Sequence, residues 1–356
     1  MDCSFWRNKK VLITGHTGFK GSWLTLLLQK LGAKIVGFSL VPPTQPNLFT
    51  LANIKEKVIS LTGDVCDFNA LSEAFLTHQP EIVFHMAAQP LVRYSYERPV
   101  ETYSTNVMGT VNLLEIARRV NVTKAIVNVT SDKCYANKEY QRGYHEKDEL
   151  GGHDPYSNSK ACAELITSAF RNSFYNNSNN ICGLASARAG NVIGGGDWAA
   201  DRLVPDIARS ILTRSTLRIR YPHALRPWQH VLEPLYGYLQ LAQFLFLHPN
   251  DYAQAWNFGP DENEVKSVDW IIQEIQLIWG ERLNVQYERT PKLHETSLLK
   301  LDSSKAKISL NWKPIWNLET ALRHTVDWYR AYQENKDMYI KTKNQINQYI
   351  SDRLSL

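Results

Sequence analysis

An α/β protein built on a doubly wound parallel sheet, with a smaller C-terminal α/β lobe, follows from three features of the 356-residue chain. A short apolar strand at 10–14 runs straight into glycines at 15, 18 and 21 and then into a helix. Apolar strands and helical stretches go on alternating up to residue 190, the pattern of a parallel sheet with crossover helices. One of those strands, 125–129, ends abruptly in Thr130, Ser131, Asp132, Lys133, Cys134 and Tyr135. Open α/β sheets place their ligands beyond the carboxyl ends of strands.

Composition narrows the class. Hydrophobic residues make up 44% of the chain, which suits a globular protein and argues against extensive disorder. The net charge of +5 is modest and the basic residues are scattered, so anionic small molecules are expected and nucleic acid is not. Cys3, Cys66, Cys134, Cys162 and Cys182 are widely spaced, with neither a metal-binding pattern nor a disulfide framework. No metal is therefore expected, and the expected compartment is a reducing, cytoplasmic one. Residues 1–10 lack a signal peptide's apolar core, and no run reaches membrane-spanning length, so no membrane association is expected. Asn176-Asn177-Ser178 formally matches a glycosylation acceptor and is taken as coincidence.

Each glycine of Gly15-x-x-Gly18-x-x-Gly21 has a task. The first permits a tight turn, the second lets a diphosphate approach the backbone, and the third packs helix against strand. Placed after a strand and opening a helix, the loop with His16, Phe19 and Lys20 reads as a dinucleotide site rather than a tight turn alone. The helix runs through Trp23, Leu24, Leu27, Leu28 and Leu31 and stops at Gly32. A second strand covers 34–40. Ser39 stands near its end, where a ribose-binding carboxylate is usual, and no arginine is there for a 2′-phosphate, which leans toward NAD. Pro42, Pro43 and Pro46 mark a loop. A third strand, 58–63, delivers Asp64-Val65 either to an adenine or, for Asp64, to a helix cap. A fourth, 81–86, ends in Ala87-Ala88-Gln89, where small residues admit a flat ligand or simply pack tightly. A long helix follows at 99–120, with Asn106 inside it expected to tie down a neighbouring loop.

After the fifth strand and a polar loop, Asp154-Pro155 opens a helix, the first as its cap and the second suited to its first turn. Tyr156 and Lys160 lie four apart and share one face. An ammonium beside a phenol lowers the phenol's pKa and makes it a base near neutrality. A sixth strand at 181–187 leads to Arg188, Asn191 and Gly194-Gly195-Gly196-Asp197-Trp198, whose glycines allow a backbone to bend around a ligand. A helix at 201–212, a basic strand at 218–220 and a polar aromatic loop at 226–230 come next, then a helix at about 235–246. Arg202, Arg218, Arg220 and Arg226 crowd this stretch. Arginine forks suit diphosphate oxygens, and some of the four are expected only to be solvated. A strand and turn at 255–259, helices at 268–279 and 318–332, and a polar tail complete the chain.

With its strand–glycine–helix unit, Ser131 at a strand end and Tyr156-x-x-x-Lys160, the chain resembles the extended short-chain dehydrogenase/reductases that act on nucleotide sugars, over nearly its whole length. Gly15, Gly18, Gly21, Ala87-Ala88, Asn106, Tyr156, Lys160 and Arg188-x-x-Asn191 fall in the family's order and spacing. Ser131-Asp132-Lys133 stands where the 4,6-dehydratases carry Thr-Asp-Glu, an acid pair that epimerases lack. The stretches 130–135, 194–198 and Arg226-Pro227-Trp228 look like those of members that take a CDP-hexose. The resemblance implies a Rossmann-type NAD-binding domain over 1–190 and a mainly nucleotide-sugar-binding domain over 191–356. Segments at about 232–259 and 316–332 are expected to return to the first. A homodimer or homotetramer through the helices of Asn106 and Tyr156 is implied as well.

The implied reaction is dehydration of CDP-glucose with internal hydride transfer. Tyr156, aided by Lys160, would take the proton of the sugar's 4-hydroxyl, Ser131 would bond the same oxygen, and Asp132 would protonate the departing 6-hydroxyl. Asn191, Arg202, Leu203, Arg226 and Asn257 carry over as substrate contacts, joined by Arg188 and Arg220. Two departures stand out. Lys133 replaces the family's glutamate base, and is expected to act as that base or to position a water that does; a lysine base needs a strongly depressed pKa. His16 and Lys20 are expected to crowd or retune the diphosphate site, and with Ser39 lacking a carboxylate NAD is expected to be held loosely. The competing readings are a dehydratase for dTDP-glucose or GDP-mannose, a UDP-hexose 4-epimerase, and a nucleotide sensor without catalysis on the same fold. Asp132 argues against the epimerase, and the presence of Tyr156, Lys160 and Asp132 together argues against the sensor.

Overall fold

Residue alternation decides what each central strand buries. In β1 (Lys10–Thr14), Val11 and Ile13 enter one core while Leu12 enters a second on the opposite face. Ile82 and Phe84 against Val83 in β4 (Ile82–His85), and Ala125, Val127 and Val129 against Ile126 in β5 (Ala125–Val129), divide in the same way. Burial on both faces explains why these strands read as continuous apolar runs. The computed structural model describes residues 2–175, 182–288 and 299–355. Residue 181, the expected start of the sixth strand, and the 176–178 acceptor match lie outside the described residues.

The sheet has seven strands in the order β10-β6-β5-β4-β1-β2-β3, adding β2 (Lys34–Ser39), β3 (Ile59–Thr62), β6 (Gly183–Ala189) and β10 (Ala255–Phe258). Every pairing in it is parallel. The strand order reverses between β1 and β4, which opens a crevice at their carboxyl ends. Helices α1 (Phe19–Lys30) and α6 (Leu232–Leu247) cover one face. Helices α2 (Phe68–His78) and α3 (Gly109–Val120) cover the other. The long helix expected at 99–120 is continuous but not uniform. Pro99–Tyr103 is α-helical, Ser104–Met108 forms a π turn, and α3 resumes at Gly109, where a Cβ would lie 2.6 Å from Val65 Cγ2. The π turn holds Asn106, in keeping with the habit of such turns to sit at functional positions. Helix α4 (Pro155–Phe170) starts as its residues dictate, with Asp154 Oδ1 accepting from the Ser157 N–H at 2.9 Å.

The second lobe carries a three-stranded sheet, β11-β9-β7, and a two-stranded one, β12-β8. These comprise β7 (Asn191–Ile193), β8 (Leu217–Ile219), β9 (Leu225–His230), β11 (Val265–Ser267) and β12 (Val285–Tyr287). Helices α5 (Leu203–Thr213), α7 (Val268–Trp279), α8 (Leu318–Gln333) and α9 (Met338–Leu354) pack around them.

Four expectations change here. The stretch 226–230 is a buried strand and not a loop; Gln229 Nε2 donates to the Phe258 carbonyl at 2.8 Å inside the core, so its polarity did not mean exposure. The polar tail is α9, capped by Asp337 and burying Met338, Thr342, Gln345, Ile346 and Tyr349 at helical spacing. Two of those five are polar, which masks the stripe in the sequence. The helix after Trp316 packs on α7, α9, β7 and β9 of the smaller lobe rather than returning to the large sheet. Finally, all three glycines at 194–196 serve packing, a Cβ on Gly196 (φ +83°) falling 2.8 Å from Leu48 Cβ. A Cβ on Gly195 would lie 1.9 Å from Trp328 Cγ, and one on Gly194 2.9 Å from Val231 Cγ1.

Candidate active site

A cleft of about 1330 Å³ lies over the carboxyl ends of the central strands and extends between the lobes. One end is built by the glycine loop. Gly15 has φ +76°, and a Cβ there would lie 2.8 Å from the Ala87 nitrogen. A Cβ on Gly21 would come within 2.1 Å of the Gly15 carbonyl oxygen, so both positions need glycine. Gly18 caps α1 in extended backbone, which leaves the first-turn N–H groups of that helix facing the cleft as an anion site. Phe19, Ser39, Asp64, Val65, Ala87 and Ala88 line the same end. The cradle fits a dinucleotide: a backbone kept bare for a diphosphate, then small side chains where a flat ring lies.

Three residues expected at this site stand behind its wall. The His16 ring packs edge-on to Phe49 and into the space left by Gly37, whose Cβ would fall 2.2 Å from the ring. Its Nε2 bonds Ser60 Oγ at 2.7 Å, and burial pushes its pKa down to about 4. It is a neutral packing group and does not crowd the cleft. Asn106 Oδ1 accepts from the Gln89 N–H at 2.8 Å, and its Nδ2 donates to the Gln89 carbonyl at 3.1 Å and to Ser159 Oγ at 2.8 Å. That clamp joins the loop after β4 to α4, so Asn106 and Gln89 shape the site without lining it. Ser39 Oγ bonds Thr17 Oγ1 at 2.8 Å, so a hydroxyl pair occupies the place where a ribose carboxylate is usual. Asp64 does not cap a helix: its Oδ1 accepts from the Cys66 N–H at 2.9 Å, while Asp67 caps α2.

Mid-cleft, the end of β5 meets the start of α4. Ser131 Oγ donates to Asp132 Oδ1 at 3.0 Å, and Ser131 also hydrogen-bonds the Tyr156 hydroxyl. Lys160 Nζ donates to the Val129 carbonyl at 3.4 Å. Tyr156, Lys160, Ser131 and Asp132 are all buried as residues yet line the cleft. Burial pushes the Tyr156 phenol up to about 12, against the pull of the Ser131 hydrogen bond. The expectation of a phenol already lowered by Lys160 is therefore not met in the protein by itself, where desolvation wins. Burial pushes Lys160 down to about 8, with Glu164 opposing. The same effect, reinforced by Arg202, brings Lys20 to about 8. Burial holds the Asp132 carboxyl above the ordinary range, opposed by Lys133, Ser131, Lys20 and Arg226. A raised carboxyl beside three cations is suited to keep a proton and then release it. Lys133 follows directly, half-buried, with its N–H donating to Ser131 Oγ at 3.2 Å and its side chain in the cleft.

At the far end, Asn191, Arg202, Leu203, Arg220 and Arg226 line the cleft. Arg202 Nη1 pairs with Asp197 Oδ2 at 2.9 Å, and Arg220 with Asp201 at 3.3 Å. Arg93, from the opposite lobe, reaches the same Asp201 oxygen at 2.9 Å. Arg93, on the short helix Val92–Glu97, and Asp201 were not among the residues expected at the site, their only signal in the sequence being an isolated charge. Arg188 and Asn257 do not reach the cleft. Arg188 is held by Glu164 at 2.7 Å and Tyr135 Oη at 2.7 Å. Asn257 Oδ1 accepts from Tyr135 Oη at 2.8 Å while its Nδ2 donates to the Tyr144 and Asp302 carbonyls. Both brace the 130–135 segment from beneath. Among the described residues no group of three or more His, Cys, Asp or Glu side chains could hold a metal ion.

Comparisons with known proteins bear on this arrangement. Residues 12–325 match the GDP-mannose 4,6 dehydratase family. A CDP-glucose 4,6-dehydratase of Salmonella typhimurium is 51% identical over 354 residues, 99% of each chain. A dTDP-glucose 4,6-dehydratase of Shigella flexneri is 25% identical, across 90% of this chain and 93% of that one. Among solved structures, a Bacillus anthracis dTDP-glucose 4,6-dehydratase in complex with NAD superposes with TM-score 0.76 at 22% identity, covering 93% of this chain and 99% of that chain. A Thermotoga maritima UDP-glucose 4-epimerase with UDP-glucose superposes equally well, at 0.79 and 21% identity over 90% of this chain and 99% of that one. Dehydratases and epimerases share the fold, so the site has to separate them.

Proposed function

The chain belongs to the nucleotide-sugar 4,6-dehydratase family of extended short-chain dehydrogenase/reductases, and from that premise we propose that it converts CDP-D-glucose to CDP-4-dehydro-6-deoxy-D-glucose with NAD. The observation that carries the choice of dehydration is Asp132, a buried carboxyl held above its ordinary range one residue from Ser131 and in the same cleft as Tyr156. An epimerase needs no acid for a leaving group. The choice of cytidine rests on the 51% identical relative, because no contact in the cleft reads the base by itself.

Bound at the glycine-loop end, NAD supplies a hydride acceptor that later gives the hydride back. Tyr156 Oη takes the proton of the 4-hydroxyl, and the positive charge of Lys160 stabilises the phenolate against the burial that otherwise disfavours it. Ser131 Oγ, already bonded to Tyr156, holds the same sugar oxygen. The ketone formed at carbon four acidifies the proton on carbon five. Lys133 removes that proton or orients a water that does, while Asp132 protonates the 6-hydroxyl as it leaves. Return of the hydride to carbon six completes a net loss of water. The arginines at 202, 220 and 226 are placed for the diphosphate. Lys20 attracts that charge as well, so looser cofactor binding rests on Ser39 and its missing carboxylate, not on His16.

We assign 1–190 with about 232–259 to the cofactor lobe and most of the remainder to the substrate lobe. A second copy is expected on the helices of Asn106 and Tyr156, where Val100, Met108 and Leu165 are exposed; sedimentation would detect it. The described cysteines are all free, which suits the cytoplasm. No helix among the described residues is long and apolar enough to cross a membrane. The test is direct: incubate the protein with NAD and, separately, with CDP-glucose, dTDP-glucose, UDP-glucose and GDP-mannose, and weigh the products. A product lighter by one water from CDP-glucose alone supports the reading. Dehydration of another nucleotide in preference overturns the base assignment, and turnover without a mass change overturns the reaction.

A further inference from the structure

Glu164 lies one helical turn beyond Lys160 on α4, is buried, and is not among the residues lining the cleft. Its Oε1 accepts a hydrogen bond from Thr130 Oγ1 at 2.5 Å, and its Oε2 accepts from Ser186 Oγ at 2.6 Å and Arg188 Nη2 at 2.7 Å. Thr130 immediately precedes Ser131, so this carboxylate is tied to the strand end that carries the reacting serine. Through Arg188 the same network reaches Tyr135 and Asn257, at the other end of the catalytic segment. A buried ion pair is by itself weak evidence for stability, since desolvation offsets its attraction. Three partners on one carboxylate, gripping both flanks of residues 130–135, point to a different use.

We propose that Glu164 is a positioning residue: its carboxylate fastens Thr130 to α4 and provides the buried counter-charge for the Lys160 ammonium, with Arg188 holding it in place. The inference rests on the reading of Tyr156 and Lys160 as the proton-handling pair. Lys160 is faced by Glu164 from its own helix, by Cys134 beyond β5, by Lys20 from α1 and by His85 from β4. Glu164 is the one carboxylate in that set. Arg188, Arg171 and Cys134 in turn face Glu164. Burial drives Lys160 toward its neutral form, and Glu164 is the main influence resisting it. Without that charge the ammonium loses its proton at lower pH, and with it the phenolate of Tyr156 loses its stabiliser.

Glu164→Gln alone leaves Arg188 buried and unpaired, so the informative protein is the double variant Glu164→Gln/Arg188→Met, which removes both charges at similar volume. Lysine ε-carbon NMR on ligand-free protein, with the Lys160 signal assigned by its loss in Lys160→Met, reads the titration without any reaction. We expect a midpoint near about 8 in the parent protein. In the double variant we expect it lower by at least about one unit, a tenfold change in the ammonium-to-amine ratio at fixed pH. Glu164→Asp, which keeps the charge, should stay near the parent. An unmoved midpoint in the double variant overturns the proposal. With substrate, the alkaline limb of the hydride-transfer rate should move down with the NMR midpoint, while Thr130→Val should slow transfer without moving the limb. A shifted midpoint with an unchanged pH–rate profile overturns the positioning role. Because the NMR titration needs neither cofactor nor sugar, it stands or fails separately from the dehydratase reading, which falls if the parent protein removes water from none of the nucleotide hexoses.

Discussion

Asp132 and Lys133 are neighbours in the chain with opposite chemical problems. Burial raises the Asp132 carboxyl above its ordinary range, the direction that suits the general-acid role proposed for it. Replacing it with asparagine keeps the shape and removes the proton. Asp132→Asn should still transfer the first hydride, measured as reduced nicotinamide in a single turnover, while product formation falls about 10²-fold or more, the usual worth of a general acid. Loss of both steps together would show that Asp132 shapes the site instead. Lys133 has no carboxylate to inherit the family's base role, but it lies in the cleft and is the leading cation acting on Asp132. Lys133→Met should stall the reaction after the first hydride transfer. Full turnover in that variant would exclude Lys133 both as base and as water-orienting group.

Close packing of glycine against aromatic rings fixes how the smaller lobe meets the cleft. Gly195 lies under Trp328, whose indole N–H donates to Thr342 on α9 at 2.9 Å, and Trp23 Nε1 donates to the Gly195 carbonyl at 2.9 Å. Gly195→Ala should cost about 1–3 kcal/mol in urea unfolding, the range for overpacking a filled core; an unchanged midpoint would mean that the loop shifts freely. Much of this level was legible in the sequence. The βα alternation, the glycine loop and the cap at Asp154 follow local rules, and each appears where those rules put it. What escaped was set by distant partners. Arg226, Gln229 and His230 look like loop residues until β7 and β11 flank them, and α9 hides its buried face behind Thr342 and Gln345. Arg188 and Asn257 were expected as ligand contacts through the family resemblance, which carries no information on their local partners. Tyr135 and Glu164, from other parts of the chain, claim them first.

For the whole molecule, buried histidines set the response to acid. Burial pushes His16 down to about 4 and His85, helped by Lys160, to about 3. Both stay neutral in the fold, whereas the unfolded chain takes up their protons below about 6.5. The unfolded state therefore binds more protons between that pH and the folded values, and stability falls as pH is lowered through this window. The urea midpoint of the parent protein should drop more between pH 7 and pH 5 than that of His16→Gln; equal drops would mean that His16 is not buried neutral. Lys20 and Lys160, both near 8, give the cleft an anion-seeking character that the N-terminus of α1 and the arginines extend along its length.

The measurement that bears most directly on the function is the fate of one hydrogen. CDP-glucose carrying deuterium at carbon four, turned over with NAD, should give a product lighter by a water with the deuterium now on carbon six and no accumulated reduced cofactor. Deuterium found again on carbon four of a product of unchanged mass would contradict the account and make the cleft that of an epimerase.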